Sequence, residues 1–217
     1  MQSFFNGRIV PAMRLGNKIK VVLMGAFLIM GLAAATQAGA SALLHKGDRE
    51  RSLSMYNTHT NEYLDVTYWK NGRYDAAAMK EISIYLRDHR SGTHIDMSRD
   101  VINYLHEIKL GLQARYPNKQ IRFDIISGYR SPETNAMLRA RGGGQAKKSR
   151  HMYGDAIDIR VPGVDSAVVR DVAWCLQRGG VGYYKSSNFV HVDTGDIRHW
   201  HWAPNASTCG NDNAPAS

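Results

Sequence analysis

The sequence predicts an α+β domain, a small and largely antiparallel sheet with helices packed on one face. Three observations predict it. Short segments rich in β-branched and aromatic residues alternate apolar with polar positions. Longer segments repeat an apolar residue every three or four positions. Clusters of Gly, Pro, Asn and Asp separate the two kinds.

Taken in order, residues 41–52 read as a polar lead-in, and Tyr63–Trp69 (YLDVTYW) as a strand with the Asn71-Gly72 turn beside it. Asp75 can cap a helix reaching about His89, with Met79, Ile82 and Leu86 on one face. Asp96 starts a second helix whose stripe is Met97, Val101, Leu105, Ile108 and Leu112. Ile121–Ser127 is a strand. Ser131 is a good N-cap, with Pro132 at the first helical position, and that helix stops at Gly142–Gly144. A basic loop, Lys147–Arg150, leads into the strand AIDIRV. A last helix runs from Asp165 to about Arg178 and ends at Gly179-Gly180. Two strands, Val181–Tyr184 and Phe189–Thr194, close the domain.

The first 40 residues differ from the rest. Arg8, Arg14, Lys18 and Lys20 precede an apolar run from Val21 to Ala35, and Ala38-Gly39-Ala40 fits a cleavage site. That order is a secretory signal peptide. An uncleaved anchor is the alternative, although the run is shorter than the roughly 20 residues a membrane span needs. The expected organisation is a leader over 1–40, one domain over 41–203, and a polar flexible tail over 204–217. Of the 28 lysines and arginines, four lie in the leader, which leaves 24 against 19 acids and a net charge of +5. This is mildly basic and lacks the stripe of a nucleic-acid binder. It suits an anionic polymer such as a bacterial cell wall. In an oxidising compartment Cys175 and Cys209 can pair or stay as two thiols; spacing does not decide.

The chemistry lies in the alternation of the late strands. In AIDIRV, Ile157, Ile159 and Val161 share one face, and Asp158 and Arg160 the other. In FVHVDT, Val190 and Val192 share one face, and Phe189, His191 and Asp193 the other. If the strands are neighbours, Asp158, His191 and Asp193 converge, and His151 can fold back onto them past Gly154 and Ala156. Two imidazoles and a carboxylate suit catalytic zinc with a fourth position left for water. The same pattern also fits ionisable groups on a half-exposed sheet, and at this level both readings stand. No glycine loop follows a strand to cradle a nucleotide phosphate.

Three stretches, SGYRSPETN, KKSRHMYGDAIDIRVPGV and GGVGYYKSSNFVHVDTGDIRHW, resemble the exported branch of the M15-type zinc peptidases. These are D-alanyl-D-alanine carboxypeptidase-like murein endopeptidases, a branch formerly catalogued as a domain of unknown function. The resemblance covers roughly residues 50–202. It implies a Hedgehog/DD-peptidase-like fold and a periplasmic enzyme that cuts peptide cross-links of peptidoglycan. The D-Ala–diaminopimelate link is the leading target, with the diaminopimelate–diaminopimelate link another. A D,D-carboxypeptidase and a non-catalytic zinc-containing wall-binding module are the alternatives.

The family pattern Ser-x-His-x6-Asp with a distant His falls on Ser149, His151, Asp158 and His191. It implies that His151, Asp158 and His191 hold zinc, Zn2+. Arg130 matches an arginine near the scissile carbonyl, where a guanidinium stabilises the developing oxyanion. A structural ion pair is its plainer role. For Ser149 the choice is between a substrate hydrogen bond and a loop cap. One departure matters: many relatives carry Glu or Asp as general base three residues before the second metal histidine, and here that residue is Asn188. Asp193 is the expected substitute base, or else a carboxylate that orients the metal histidine. His199 and His201 are weaker candidates at the rim, and Trp200 and Trp202 are expected to pack the chain end.

Overall fold

The computed structural model describes residues 49–210. The predicted leader and the last residues of the predicted tail lie outside the described residues. The elements run β1 (Glu50–Asn57), β2 (Tyr63–Lys70), β3 (Arg73–Tyr74), α1 (Ala76–Tyr85), α2 (Arg99–Arg115), β4 (Phe123–Ser127), α3 (Pro132–Ala140), β5 (Ala156–Arg160), α4 (Ser166–Cys175), β6 (Gly180–Tyr184), β7 (Phe189–Asp193) and β8 (Arg198–Trp200). The eight strands form one sheet in the order β3-β2-β1-β4-β5-β7-β6-β8. Pairing is antiparallel except where β1 meets β4 and β6 meets β8. The fold is α+β, as the patterning predicts.

The core forms where the apolar faces of the strands meet the helical stripes. Ile157, Ile159, Val181, Val190 and Val192 are buried with Val101, Leu105, Ile108 and Leu112 of α2 and with Val169, Val172 and Ala173 of α4. Each of these valine, leucine and isoleucine side chains contributes about 1.5–3 kcal/mol on leaving water. Helix α1 packs on β2, α2 on β1, and α4 on β6 and β7. The period-two alternation then leaves the polar face of β5, β6 and β7 free for chemistry.

Three of the predicted helices shift at their ends for tertiary reasons. Helix α1 stops at Tyr85 rather than near His89, because the Leu86 carbonyl is taken by the Tyr129 amide at 2.8 Å. Helix α2 is capped by Ser98, not Asp96: the Met97 and Ser98 amides are held by the Ser83 hydroxyl and the Gly154 carbonyl. Helix α4 starts on its Asp165 cap and ends at Cys175, where the chain turns through Gln177 with φ 51°. Strand β1 was not predicted: its first three residues fall in the predicted 41–52 lead-in, and behind that polar start only Leu53, Met55 and Asn57 alternate inward.

Cys175 and Cys209 form a disulfide across 34 positions. It ties the 204–210 stretch, predicted as tail, to the end of α4. Among the described residues no helix is long and apolar enough to cross a membrane.

Candidate metal centre and its cleft

Strands β5 and β7 place Asp158 directly opposite His191 and Ala156 opposite Asp193. His151 reaches the same point from a 3-10 turn over Arg150–Tyr153. That turn closes on Gly154 with φ 71°, where an added Cβ would sit 3.0 Å from the Asp96 carbonyl oxygen. Glycine is needed there for both the left-handed backbone and the close approach.

His151, Asp158 and His191 are buried, and one ligand atom from each lies within 4.8 Å of the others. His191 Nδ1 is 2.8 Å from Asp158 Oδ1 and 3.1 Å from His151 Nε2. His151 Nε2 is 3.3 Å from Asp158 Oδ1. These separations are close to the edge of a tetrahedron with metal–ligand bonds of about 2.0–2.1 Å, roughly 3.3 Å.

The outer partners fix both ring tautomers. His151 Nδ1 lies 2.7 Å from the Gly128 carbonyl, which can only accept, so Nδ1 carries the proton and Nε2 presents a lone pair. His191 Nε2 lies 3.0 Å from Asp193 Oδ2, so Nε2–H donates and Nδ1 presents its lone pair. Two imidazole nitrogens and a carboxylate oxygen thus converge on one point, a grouping that could hold a metal ion once His191 Nδ1 gives up its proton. Without a metal, the proton balance answers the same demand. Burial pushes His191 down, but its bonds to Asp158 and Asp193 outweigh this and raise it to about 9. Burial holds His151 below its ordinary value despite Asp158 beside it. Asp158 is held well below the usual carboxylate range, because hydrogen bonds and charge from the two histidines outweigh burial.

Asp193 is fully buried on the far side of the His191 ring. Its Oδ1 accepts from the Gly195 amide at 2.8 Å, the Gly180 amide at 3.2 Å and Arg198 Nη1 at 3.2 Å. Its Oδ2 takes Arg198 Nη2 at 2.7 Å besides His191. A carboxylate offers about four lone-pair sites, and here five donors fill them. Burial pushes the Asp193 carboxyl up, and these donors bring it well below its ordinary value.

Arg130 is buried beside the cluster and loosely held. Nη1 donates to Asn135 at 3.5 Å, Nη2 to Ser127 at 3.4 Å, and Nη2 lies 3.8 Å from Asp158 Oδ2. Its Nε has no partner among the described residues. Burial lowers the Arg130 pKa, with the charge of Asp158 opposing this. Ser149 precedes the 3-10 turn without a side-chain capping bond and lines the cleft.

The cleft is lined by Arg130, Lys148, Arg150 and Arg198, by the His151–Asp158–His191 cluster, by Tyr184, Phe189 and Trp200, and by the Gly143–Ala146 stretch. Asn188 is not among its lining residues. It ends a 3-10 turn with φ 51°, a left-handed position that Asn tolerates. His199 Nδ1 donates to the Trp202 carbonyl at 2.9 Å and His201 is exposed, both outside the cleft lining. Trp202 packs the chain end against Trp174 and Arg170, as expected. Trp200 instead lines the cleft, with its ring 5.1 Å from that of His191. Arg198, Tyr184 and Trp200 were missed as site residues. The signal was present in GVGYY: Gly180, Gly182 and Tyr184 share the site face of β6 at period two.

An α+β sheet whose polar face gathers His, Asp and His in a buried cleft defines a metallopeptidase-like class. The comparisons with known proteins narrow it. The family model described as "Peptidoglycan L,D-endopeptidase MepK" matches residues 45–200. The peptidoglycan L,D-endopeptidase MepK of Escherichia coli K12 is 34% identical over 184 residues, covering 85% of this chain and 97% of that protein. A probable peptidoglycan L,D-endopeptidase MepK of Haemophilus influenzae is 38% identical over 152 residues, covering 70% and 80%. The chain belongs to this M15-type murein endopeptidase family.

Proposed function

We propose that this protein is an exported, zinc-dependent murein endopeptidase that cuts the L-to-D amide between two diaminopimelate residues of cross-linked peptidoglycan. The observation that carries the reading is the convergence of two tautomer-fixed histidines and a carboxylate beside a loosely bonded arginine, in a chain of this family. The L,D designation of the relatives supports this bond over D-Ala–diaminopimelate, which joins two D centres.

His151 Nε2, His191 Nδ1 and Asp158 would hold the ion; two nitrogens and one oxygen at tetrahedral spacing suit zinc. Bound there with an open position, zinc lowers the pKa of water to about 7 and polarises a carbonyl. Arg130, whose hydrogen bonds are all long, trades them for the charge that develops on the scissile carbonyl oxygen. The Ser149 hydroxyl hydrogen-bonds the substrate chain. Asp193 holds the His191 ring and its tautomer, since its oxygens are already saturated; that geometry favours the orienting role over the base. Export agrees with the leader and with the Cys175–Cys209 disulfide.

One observation favours a second reading, a zinc-containing wall-binding module: among the described residues, Asp158 is the only carboxylate lining the cleft. Purified peptidoglycan incubated with the zinc-loaded protein, with and without chelator, separates them. Chelator-sensitive loss of cross-linked muropeptide dimers, with masses that name the diaminopimelate link, supports the enzyme. Intact cross-links despite bound zinc support the module.

A further inference from the structure

The site face of β6 carries an arrangement that none of the metal-centre roles uses. Gly182 lies opposite both His191 and Trp200. An added Cβ at Gly182 would sit 2.3 Å from the Trp200 ring, so any larger residue there would displace the indole from its place beside the strand. From that place Trp200 donates its Nε1–H to the Tyr184 hydroxyl oxygen at 3.0 Å. An indole nitrogen is only a donor, so it cannot accept the phenol's hydrogen in return. Among the described residues the Tyr184 O–H meets no acceptor, and the side chain lines the cleft. Its ring is fixed by stacking on Phe189 at 4.4 Å and by the edge of His201 at 5.0 Å. The sheet order β4-β5-β7-β6 sets the Asp158–His191 pair between this tyrosine and Arg130, which follows β4.

We infer that Tyr184 is a further catalytic residue: its hydroxyl, aimed by Trp200, donates a hydrogen bond to the scissile carbonyl oxygen as negative charge grows on it. The inference rests on the endopeptidase reading. The donor strengthens as the charge develops, so it acts on turnover more than on substrate binding.

The test is Tyr184→Phe, which removes only the hydroxyl, compared with the full-length wild type on cross-linked muropeptide dimers. Zinc affinity is measured in both, as is the inhibition constant of a phosphinate isostere of the cross-link. The expected result is a kcat about 100-fold lower with little change in KM or zinc affinity, and a phosphinate inhibition constant raised by a similar factor. Trp200→Phe, which keeps the phenol but loses its aim, is expected to lose less. Equal kcat and phosphinate affinity in Tyr184→Phe and wild type would overturn the inference and leave the endopeptidase reading standing. A fall in zinc affinity as large as the fall in kcat would also overturn it. Wild-type protein that cuts no cross-link would sink the endopeptidase reading and with it the catalytic role of Tyr184, whatever the phosphinate affinities.

Discussion

Asp193→Asn separates the two roles open to that carboxylate. In the native site Oδ2 accepts from His191 Nε2 at 3.0 Å and from Arg198 Nη2 at 2.7 Å, and Oδ1 accepts from two amides and Arg198 Nη1. An asparagine has one acceptor oxygen. With that oxygen kept on the Gly180 and Gly195 amides, its NH2 faces His191 Nε2 and Arg198 Nη2, donor against donor. His191 relieves the conflict by moving its proton to Nδ1, the nitrogen that faces Asp158 and His151. The lone pair needed by a metal is then gone until the tautomer is reversed. Loss of such an outer partner costs about 10- to 100-fold in metal affinity, or roughly 1.4–2.7 kcal/mol. Competition against a chelator of known affinity near pH 7 reads the zinc dissociation constant, and turnover is then measured at saturating zinc. The expected outcome is weaker zinc binding with activity partly recovered by excess metal. Native zinc affinity with turnover abolished at every zinc concentration would refute the orienting role and restore Asp193 as the base.

Four further outcomes are expected. Arg130→Lys keeps a charge but loses the planar fork, and kcat should fall about 100- to 1000-fold at unchanged zinc content. Gly182→Ala drives a methyl into the Trp200 ring and should cost about 1–3 kcal/mol, read as a lower Tm together with a change in tryptophan fluorescence. Cys209→Ser opens the link across 34 positions and should cost about 3–4 kcal/mol, with no further loss in reductant. Asp88 is buried, and hydrogen bonds from Thr134 and from the Ser131 and Arg90 amides outweigh burial and hold it at about 2. Its folded value lies below its unfolded value near 3.9, so its contribution is fully present above pH 4 and is lost as pH falls towards 2. The Tm gap between wild type and Asp88→Asn should therefore be widest near neutrality and close in acid.

Most of the fold was legible because its apolar positions repeat. The stripe Val101, Leu105, Ile108, Leu112 and the alternation of Ile157, Ile159 and Val161 need no partner to be recognised, and all seven residues are buried in the core. What periodicity could not show were short or interrupted elements. Strand β8 has three residues and β3 has two, too few to establish any period. Helix ends escaped for another reason. Leu86 leaves the helix because its carbonyl is claimed by Tyr129, 43 residues onward in the chain, and a long-range hydrogen bond leaves no trace in local propensity.

The site shows the same division. Strand parity allowed Asp158 and His191 to meet if β5 and β7 were neighbours, and the family resemblance singled out His151, Asp158 and His191 as a set; the sheet pairing brings them together. The surroundings of Asp193 did not, because its donors come from two glycine amides and an arginine on a strand that local patterning missed. Yet those surroundings were written into β6 as absences. An added Cβ at Gly180 would sit 2.6 Å from Asp193 Oδ2 and 2.8 Å from Arg198 Nη1, and one at Gly182 would strike the Trp200 ring. Each glycine is the space that a functional side chain from a neighbouring strand fills. On the site face of β6, two missing side chains are followed at the next inward step by Tyr184. Small residues at period two beside a strand of ionisable ones therefore mark where groups from elsewhere in the chain must lie.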